Sequence, residues 1–261
     1  MEKYLLCEPK FFEVDYSINP WMAGEKVDKS KALNQWNNLK DKIISLGAKV
    51  EQIDAVQGLP DMIFTANCGI VYGNQFVLSR MRHQERQPES QYFRKWFKRN
   101  GYSIVDLMPG VYFEGRGDVL VHKGHLIAGH GFRSTLSALQ IVSNVFGLEL
   151  IDLQLVDPRF YHLDTCFCMV SDTQAVYYPS AFQDGEIQKL SGVVDLIPVE
   201  ESDARLFACN SMLVEGELLV PESSLEVNQI LSKKYGVVCT QVTVREFLKS
   251  GGSIQCLCLR I

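Results

Sequence analysis

The sequence predicts an α/β protein in which five similar units of one chain close into a ring. One pattern occurs five times: a polar residue, an apolar strand, a glycine or polar turn and a second strand, usually followed by a helix and a third strand. Turn signals separate the two strands of the first four hairpins, at Gly73-Asn74, Lys123-Gly124, Ser171-Asp172 and Glu215-Gly216. Units that cannot bury their faces alone stack or close into a ring.

The predicted hairpins follow one another along the chain, at residues 65–78, 116–128, 163–178, 208–220 and 253–261. The last of them needs a partner, and Tyr4-Leu5-Leu6 near the N-terminus is the strand available to pair with it and close the ring. Since no low-complexity or Pro/Ser-rich linker interrupts the series, we expect one domain over residues 1–261. A doubly wound sheet is the alternative, but its helices alternate with single strands rather than with hairpins.

Hydrophobic periodicity and capping residues predict the helices and the third strands. The first helix covers residues 29–46, with Asp28 as the N-cap residue, Trp36 and Ile43 on its apolar face and Gly47 as the stop signal. Further helices are expected from Pro88 to Gly101, from a Ser134 N-cap to Gly147, over residues 184–190, and over residues 222–235 with Leu225, Ile230 and Leu231 facing inward. Third strands are expected at residues 50–53, 103–107, 148–155, 194–199 and 237–242.

The composition is that of an ordinary globular protein, with 46% hydrophobic residues, 22% charged residues and a net charge of −5. This acidic balance argues against nucleic acid or an anionic membrane as the main partner, and it does not exclude a cationic small molecule held by carboxylates. No apolar run approaches the roughly 20 residues that a bilayer requires. Eight cysteines in a chain of this length do not indicate a disulfide framework, so we expect reduced thiols and a cytoplasmic protein. A homo-oligomer is compatible with the sequence.

In a ring of repeats, equivalent positions of the units converge on the axis. The polar residues that open the hairpins would then gather at one place: Asn67, Glu114, Asp118, His162, Asp164, Asn210 and Cys256.

Cys256 is the candidate nucleophile of this group. It follows Gly251-Gly252-Ser253 and is expected in the last strand, where the glycines would let a substrate approach closely. The alternative is a buried cysteine that acts as a small hydrophobic residue. A metal site built from Cys166/Cys168 and Cys256/Cys258 is a further alternative, but zinc sites favour two to four residues between paired cysteines. We therefore expect no metal.

His162 and Asp164 are the candidate partners of the cysteine. If this segment is extended, both side chains point to the same side, with Leu163 turned away. A cysteine nucleophile needs a base or acid, and a histidine near a carboxylate commonly provides it. The alternative is a histidine whose hydrogen bonds are satisfied in the core.

Two further segments carry charge beside glycines. Glu114 and Asp118 flank Gly115 and Gly117, which indicates either a pocket for a cation or a tight turn on the surface. Arg133 precedes a predicted helix N-terminus, where the guanidinium and the free N–H groups suit an anion. A surface arginine is the alternative there.

Taken together, these segments resemble the guanidino-group-modifying superfamily, which includes arginine deiminases, dimethylarginine hydrolases and amidinotransferases. The resemblance rests on six segments in order, at residues 18–22, 60–67, 113–118, 129–133, 160–165 and 251–256. It implies a five-bladed, pseudo-symmetric α/β propeller, or pentein, of ββαβ modules, without a cofactor. It also implies a small-molecule guanidino substrate.

The resemblance further implies a role for each matching residue. Cys256 would attack the guanidinium carbon, giving a covalent S-alkylthiouronium intermediate, and the substrate's charge would favour the thiolate. His162 would protonate the leaving amine and then activate water, with Glu114 orienting it. Substrate binding would fall to the remaining residues of the segments: Asp164 on the guanidinium, Arg133 on the α-carboxylate, and Asn67, Asn19 and Asp118.

Asn67 departs from the arginine deiminases, which carry an acid at the matching position. An amide removes a negative charge and supplies an N–H that could bind a ureido oxygen. The resulting hypothesis is that citrulline is accepted as well as arginine, so that two hydrolyses yield ornithine, ammonia and CO₂. Residues 64–67 and 19–22 resemble the arginine dihydrolases of cyanobacteria. Single deimination, dimethylarginine hydrolysis, amidino transfer and a non-catalytic binding protein of the same fold remain the alternatives.

Overall fold

The computed structural model describes residues 1–261, except for the side chains of Leu225 and Glu226. Its strands, in chain order, are β1 (Lys3–Cys7), β2 (Lys49–Ile53), β3 (Gly69–Tyr72), β4 (Gln75–Leu78), β5 (Ser103–Val105), β6 (Val119–His122), β7 (His125–His130), β8 (Glu149–Gln154), β9 (Phe167–Met169), β10 (Gln174–Tyr177), β11 (Asp195–Pro198), β12 (Met212–Val214), β13 (Glu217–Pro221), β14 (Cys239–Val242) and β15 (Leu259–Arg260). The α-helices are α1 (Lys29–Ser45), α2 (Ser90–Arg99), α3 (Leu136–Phe146), α4 (Glu201–Ala204), α5 (Leu225–Tyr235) and α6 (Arg245–Leu248).

The strands form five three-stranded sheets, one for each unit of the predicted repeat. In every sheet the central strand pairs antiparallel with its hairpin partner and parallel with the third strand. A long connection is needed to bring the third strand in parallel, and in four units it contains α1, α2, α3 or α5. In the remaining unit the connection contains the 3₁₀ helix Glu186–Leu190. The predicted propeller of ββαβ modules is confirmed.

The fifth sheet joins distant parts of the chain. Strand β1 pairs antiparallel with β15, with Tyr4 opposite Arg260 and Leu5 opposite Leu259, and it pairs parallel with β2. This arrangement confirms that the N-terminal strand completes the last hairpin. Thr65 of the first unit bridges the closure, because its hydroxyl donates to the carbonyl of Leu5 at 2.8 Å and accepts from the amide of Leu259 at 3.1 Å.

Helices α1, α2, α3 and α5 each contact the third strand of their own sheet. Helix α3, for example, buries Leu139, Val142 and Phe146 against Val119 and Leu126 of β6 and β7. Burial of such side chains stabilises the folded state by roughly 1.5–3 kcal/mol each. Within the part of the chain that the structure describes, no helix combines the length and the apolar character needed to cross a bilayer.

The helix ends agree with the sequence in part. Asp28 caps α1 by accepting from the amide of Lys31, and Gly147 ends α3 in the left-handed conformation at φ 63°. The predicted Ser134 cap of α3 is wrong, because Thr135 accepts from the amide of Ala138 there. The hydroxyl of Ser134 is engaged with Asp118 instead.

Helix α5 begins later than predicted, at Leu225 rather than near residue 222. Leu231 is buried as expected, but Ile230 is 49% exposed, so the prediction that it faces inward is wrong. The inward orientation predicted for Leu225 concerns a side chain outside the described residues.

Tight turns, rather than strands, carry the residues that open the hairpins. The 3₁₀ turns Thr65–Cys68, Gly115–Gly117 and Leu163–Thr165 precede β3, β6 and β9, and a turn over residues 254–257 precedes β15. Cys256 therefore does not lie in the last strand. His162 and Asp164 do not share an extended segment either, because the amide of Cys166 bonds the carbonyl of Leu163 at 3.1 Å and winds the chain at Asp164.

The first two units meet at a glycine that tolerates no side chain. Gly115 has φ +58°, and a Cβ there would lie 2.6 Å from the backbone oxygen of Gly69 and 2.7 Å from that of Ala66. We predict that Gly115→Ala lowers the free energy of unfolding by about 3 kcal/mol, from left-handed strain and overpacking together. Gly124→Ala is the matched control, since Gly124 has φ +82° with open space around it. That variant should lose only about 1 kcal/mol in denaturant unfolding, and equal losses would contradict the prediction.

Candidate active site

The turns that open the five units bring a set of polar side chains to one buried place. None of them is more than 6% exposed: Asn67, Glu114, Asp118, His162, Asp164, Asn210 and Cys256. Direct contacts join Cys256 to Asp164 and Asn210, and His162 to Glu114. Buried polar groups must be bonded or paired, so the partners of each decide what the site can do.

The thiol of Cys256 lies between an amide and a carboxylate. Asn210 donates from Nδ2 to the Sγ at 3.1 Å, and the thiol donates to Oδ2 of Asp164 at 3.3 Å. Asn210 also accepts from the backbone N–H of Cys256 at 3.3 Å, which fixes the turn. Burial raises the pKa of the Cys256 thiol well above its ordinary value, and the neighbouring charge of Asp164 adds to this effect. The resting group is a thiol, and it requires a nearby cation to become a thiolate.

Asp164 carries an oxygen without a partner. Its Oδ1 is buried and makes no hydrogen bond within the described residues. Burial raises the pKa of this carboxyl to about 7, although the Cys256 thiol, Asn210 and the charge of Arg116 act in the opposite direction. A buried carboxylate oxygen that is unpaired and adjacent to a thiol is suited to receive N–H groups from a cation.

Glu114, which is paired with Arg133, holds the imidazole of His162 in place. Its Nε2 lies 2.8 Å from Oε2 of Glu114, and Nη1 of Arg133 donates to the same oxygen at 2.9 Å. The other oxygen of Glu114 accepts from the backbone N–H of Arg82 at 3.0 Å. Burial alone would raise the pKa of Glu114, but Arg133 and His162 lower it well below the ordinary value. Glu114 is thus an anion that can orient His162 and stabilise its protonated form.

The segment that follows Tyr16 lies against the site, where it is held by contacts of Arg133 and Asn19. Arg133 donates from Nη2 to the carbonyl of Ile18 at 2.9 Å, and its guanidinium lies 4.5 Å from the centre of the Tyr161 ring. Asn19 donates to the carbonyl of Ser250 at 3.0 Å, next to the glycines that precede Cys256. Both predicted binding residues therefore border the site.

Asp118 lies behind the site rather than in it. Its Oδ2 accepts from the hydroxyl of Ser134 at 2.6 Å and from the amide of Ser134 at 3.1 Å, and its Oδ1 accepts from the amide of Leu163 at 3.3 Å. Both oxygens are engaged, so the contacts favour a positioning role over the contact with substrate expected for it.

Arg86 lines the site beside Asn67, although no sequence pattern indicates it. Arg86 pairs with Glu89 in bidentate fashion, at 2.9 Å for both bonds, and donates to the carbonyl of Asp61 at 3.1 Å. An Arg and a Glu three residues apart are common on helix surfaces, so the spacing does not distinguish this buried pair from an exposed one. Tyr161 was missed as well, and its hydroxyl donates to the carbonyl of Gly251 at 2.6 Å.

Two cavities are lined by residues of the site. The first, of about 10 Å³, lies among Cys256, Asn67, Arg86, Arg133 and Tyr161, with Ile18 and Asn19 at its side. It holds about one water, so a larger ligand requires the neighbouring segment to move. The second void, of about 270 Å³, is lined by Asp164, Arg116, Tyr4 and Arg260, and it reaches neither Cys256 nor Asn67. Asp164 thus lies between the thiol and the larger void. We assign the chemistry to the smaller void, because it contains the thiol.

Two of the cysteines considered as metal ligands bind backbone carbonyls instead. Cys168 donates to the carbonyl of Ser211 at 3.1 Å, and Cys166 to that of Leu163 at 3.5 Å. Among the described side chains, no group of three or more His, Cys, Asp or Glu residues has the geometry to hold a metal ion.

Comparison with known proteins gives concordant matches. The family model described as "N,N dimethylarginine dimethylhydrolase, eukaryotic" matches residues 4–261. The bifunctional arginine dihydrolase/ornithine cyclodeaminase AgrE of Nostoc sp. is 40% identical over 99% of this chain and 38% of its own length. The N(G),N(G)-dimethylarginine dimethylaminohydrolase of Mycobacterium tuberculosis is 36% identical over 99% of this chain and 85% of its own.

A solved structure of similar extent gives the same result. The N-terminal domain of the cyanobacterial arginine dihydrolase ArgZ, in a cysteine-to-serine variant bound to substrate, superposes with a TM-score of 0.95 at 38% identity. That match covers 100% of this chain and 98% of the other. This chain spans well under half the length of the bifunctional relatives AgrE and ArgZ.

The two carboxyls of the site should affect stability in opposite directions. The Asp164 carboxyl has a folded pKa of about 7 against an ordinary value of 3.8, so between these values the folded state keeps a proton that the unfolded state has lost. Its contribution to stability therefore falls as the pH rises from about 4 to 7. We predict that Asp164→Asn raises the free energy of unfolding by about 2 kcal/mol at pH 8 and by much less at pH 5.

Glu114→Gln is the matched variant of opposite sign. The folded pKa of Glu114 is lowered, so its stabilisation is present above its ordinary value of 4.5 and is lost as the pH falls toward the folded pKa. Removing this charge leaves Arg133 buried without its partner, which costs about 3–5 kcal/mol at neutral pH. Urea unfolding of both variants at pH 5 and pH 8 provides the measurement. Destabilisation by Asp164→Asn at pH 8 would contradict the electrostatic interpretation of this residue.

Proposed function

Because this chain belongs to the N,N dimethylarginine dimethylhydrolase family, we propose that it is a cysteine-dependent hydrolase of the C–N bonds of guanidino compounds, with arginine as its substrate. One observation carries the proposal: the thiol of Cys256 lies 3.3 Å from Asp164, whose second oxygen is buried and unpaired. A guanidinium supplies both the N–H donors that Asp164 lacks and the positive charge that Cys256 needs.

In the first half of the reaction, the guanidinium binds Asp164 through its N–H groups. Its charge lowers the pKa of the thiol, the thiol proton passes to the imidazole of His162, and the Sγ of Cys256 attacks the guanidinium carbon. His162, held by Glu114, gives its proton to the departing nitrogen, which leaves as ammonia. The product of this step is the covalent S-alkylthiouronium adduct.

In the second half, His162 takes a proton from water, and the resulting hydroxide attacks the carbon of the adduct. The C–S bond breaks, the sulfur leaves as the thiolate, and citrulline forms. Glu114 stabilises the protonated imidazole in both halves, since its own carboxylate stays ionised. The α-carboxylate of the substrate is assigned to Arg133, which borders the void beside Cys256.

A further round on citrulline completes the proposed reaction. Attack of Cys256 on the ureido carbon releases a second ammonia, and hydrolysis of the resulting thiocarbamate gives a carbamate that loses CO₂ to form ornithine. Asn67 supports this round, because its Nδ2 is buried without a partner and can donate to the ureido oxygen. The names of AgrE and ArgZ, both arginine dihydrolases, are consistent with it.

Dimethylarginine is the second candidate substrate, favoured by the family description and by the name of the mycobacterial relative. Methylation of one nitrogen removes N–H donors that the unpaired oxygen of Asp164 would accept. We therefore place unsubstituted arginine first. Amidino transfer uses the same adduct but passes it to an amine, so it requires an acceptor and the exclusion of water.

Mass spectrometry of the products from arginine, citrulline and dimethylarginine tests these assignments. We expect ornithine from arginine and from citrulline, with ammonia released in the absence of any added amine. Cys256→Ser should reduce turnover of each active substrate by at least about 10³-fold, as expected for a nucleophile. Turnover that depends on an added amine would instead indicate a transferase.

The residue at position 67 should decide whether the reaction stops at citrulline. We predict that Asn67→Asp still consumes arginine and accumulates citrulline, because a second carboxylate binds a cation and repels the ureido oxygen. Asn67→Ser tests the donor alone, since a hydroxyl still donates but is shorter. Undiminished ornithine from the Asp variant would remove this part of the proposal.

A further inference from the structure

The contacts of Asn67 extend the proposal to a second residue. We propose that Arg86 is a positioning residue that turns the NH₂ group of Asn67 toward the reacting carbon, and so sets the preference of the site for citrulline relative to arginine. This inference rests on the proposed function. It assigns to Arg86 an action through Asn67 and requires no contact between Arg86 and the reacting atoms.

Arg86 determines the direction of the Asn67 amide. Nη1 of Arg86 donates to Oδ1 of Asn67 at 2.8 Å, and both side chains are 3% exposed. A guanidinium has donors and no acceptor, so only the amide oxygen can face it. A flipped amide would set N–H against N–H in a buried place and leave both without a partner. The NH₂ group must therefore point away from Arg86.

Arg86 is itself held rigidly by its other contacts. Its Nε and Nη2 bind the two oxygens of Glu89 at 2.9 Å each, and Nη2 also donates to the carbonyl of Asp61 at 3.1 Å. A planar guanidinium in a bidentate pair has little freedom to rotate. Nη1 is thus held at Asn67, and the backbone carbonyl of Asn67 is held in turn by the hydroxyl of Ser79.

The NH₂ group of Asn67 lies close to Gly117 and His162. Nδ2 of Asn67 is buried and without a partner in the described part of the chain. It lies so close to Gly117 that a Cβ there would collide with it, and that same Cβ would lie 3.2 Å from the ring of His162. Asn67 also borders the small void beside Cys256. The free donor therefore lies on the side of Asn67 that is next to His162, away from Arg86.

The consequence differs for the two substrates. Citrulline offers a ureido oxygen, which accepts from Nδ2, whereas arginine offers only N–H donors, which Asp164 accepts. Both share the same α-amino acid end. Loss of a contact to that end therefore weakens both equally, and loss of the amide orientation weakens citrulline alone.

The test removes the guanidinium without leaving a buried charge. The double variant Arg86→Gln/Glu89→Gln replaces the pair by two neutral amides, and a Gln at position 86 can accept as well as donate, so Asn67 is free to flip. We expect kcat/KM for citrulline to fall about tenfold more than kcat/KM for arginine, the factor of one hydrogen bond to a buried group. Arg86→Lys is the matched control, since an ammonium only donates and should hold the ratio near that of the unmodified protein.

A second measurement serves if the double variant does not fold. In Cys256→Ser, the side-chain NH₂ signals of Asn67, assigned through their loss in Asn67→Ser, are followed by ¹⁵N NMR during titration. We expect a shift with citrulline and a much smaller one with arginine. Equal shifts, or equal losses of kcat/KM for both substrates in the double variant, would overturn the positioning role.

The outcomes separate this inference from the proposed function. If the unmodified protein forms ornithine while the double variant loses both activities equally, only the role of Arg86 fails. If the unmodified protein forms no ornithine, the proposed function fails, and the NMR titration alone decides whether the amide of Asn67 is directed at the ureido oxygen.

Discussion

The pairing of β1 with β15 is the interaction on which the site depends. Cys256 lies in the turn just before β15, so the pairing of Leu259 with Leu5 holds that turn in the ring alongside the contacts of Asn210. The hydroxyl of Thr65 reinforces this closure, because it binds backbone groups of both strands and belongs to the turn that carries Asn67. The nucleophile and the residue proposed to distinguish its substrates are thus positioned by one set of contacts at the ring closure.

Within the closed ring, charge is distributed unequally among the buried acids. Glu114 is paired with Arg133 and His162, which hold its pKa well below the ordinary value. Glu89 is paired with Arg86, yet burial still raises its pKa to about 7. Asp164 lacks such a salt bridge, and burial raises its pKa to about 7. The ionised form of Asp164 is unfavourable in the protein without substrate, and a bound cation makes it favourable. The site thereby gains affinity for the charge that also activates the thiol.

Sequence patterns predicted the fold more completely than the geometry of the site. The five hairpins, the third strands and the partner of the last hairpin follow from alternation and turn residues, which are local signals. The 3₁₀ turns at Asn67 and Asp164 were missed, because three or four residues carry no detectable period. A serine before a helix predicts a cap at Ser134, whereas the observed bond of Ser134 to Asp118 depends on tertiary contacts. The burial of Arg86 and Glu89 likewise depends on packing between units. The spacing of the two residues in the sequence does not indicate it.

The joining of β1 to β15 also has a kinetic consequence. Leu5 and Leu259 are separated by about 250 residues, so their contact closes a very long loop. The entropy of closing such a loop grows slowly with its length, and the equilibrium penalty is modest. The rate is affected more strongly, since non-local strand pairings form late in folding. Four units can assemble from neighbouring segments, whereas the fifth must wait for the remote partners, and until then the β1 edge of the fifth sheet lies open to other chains.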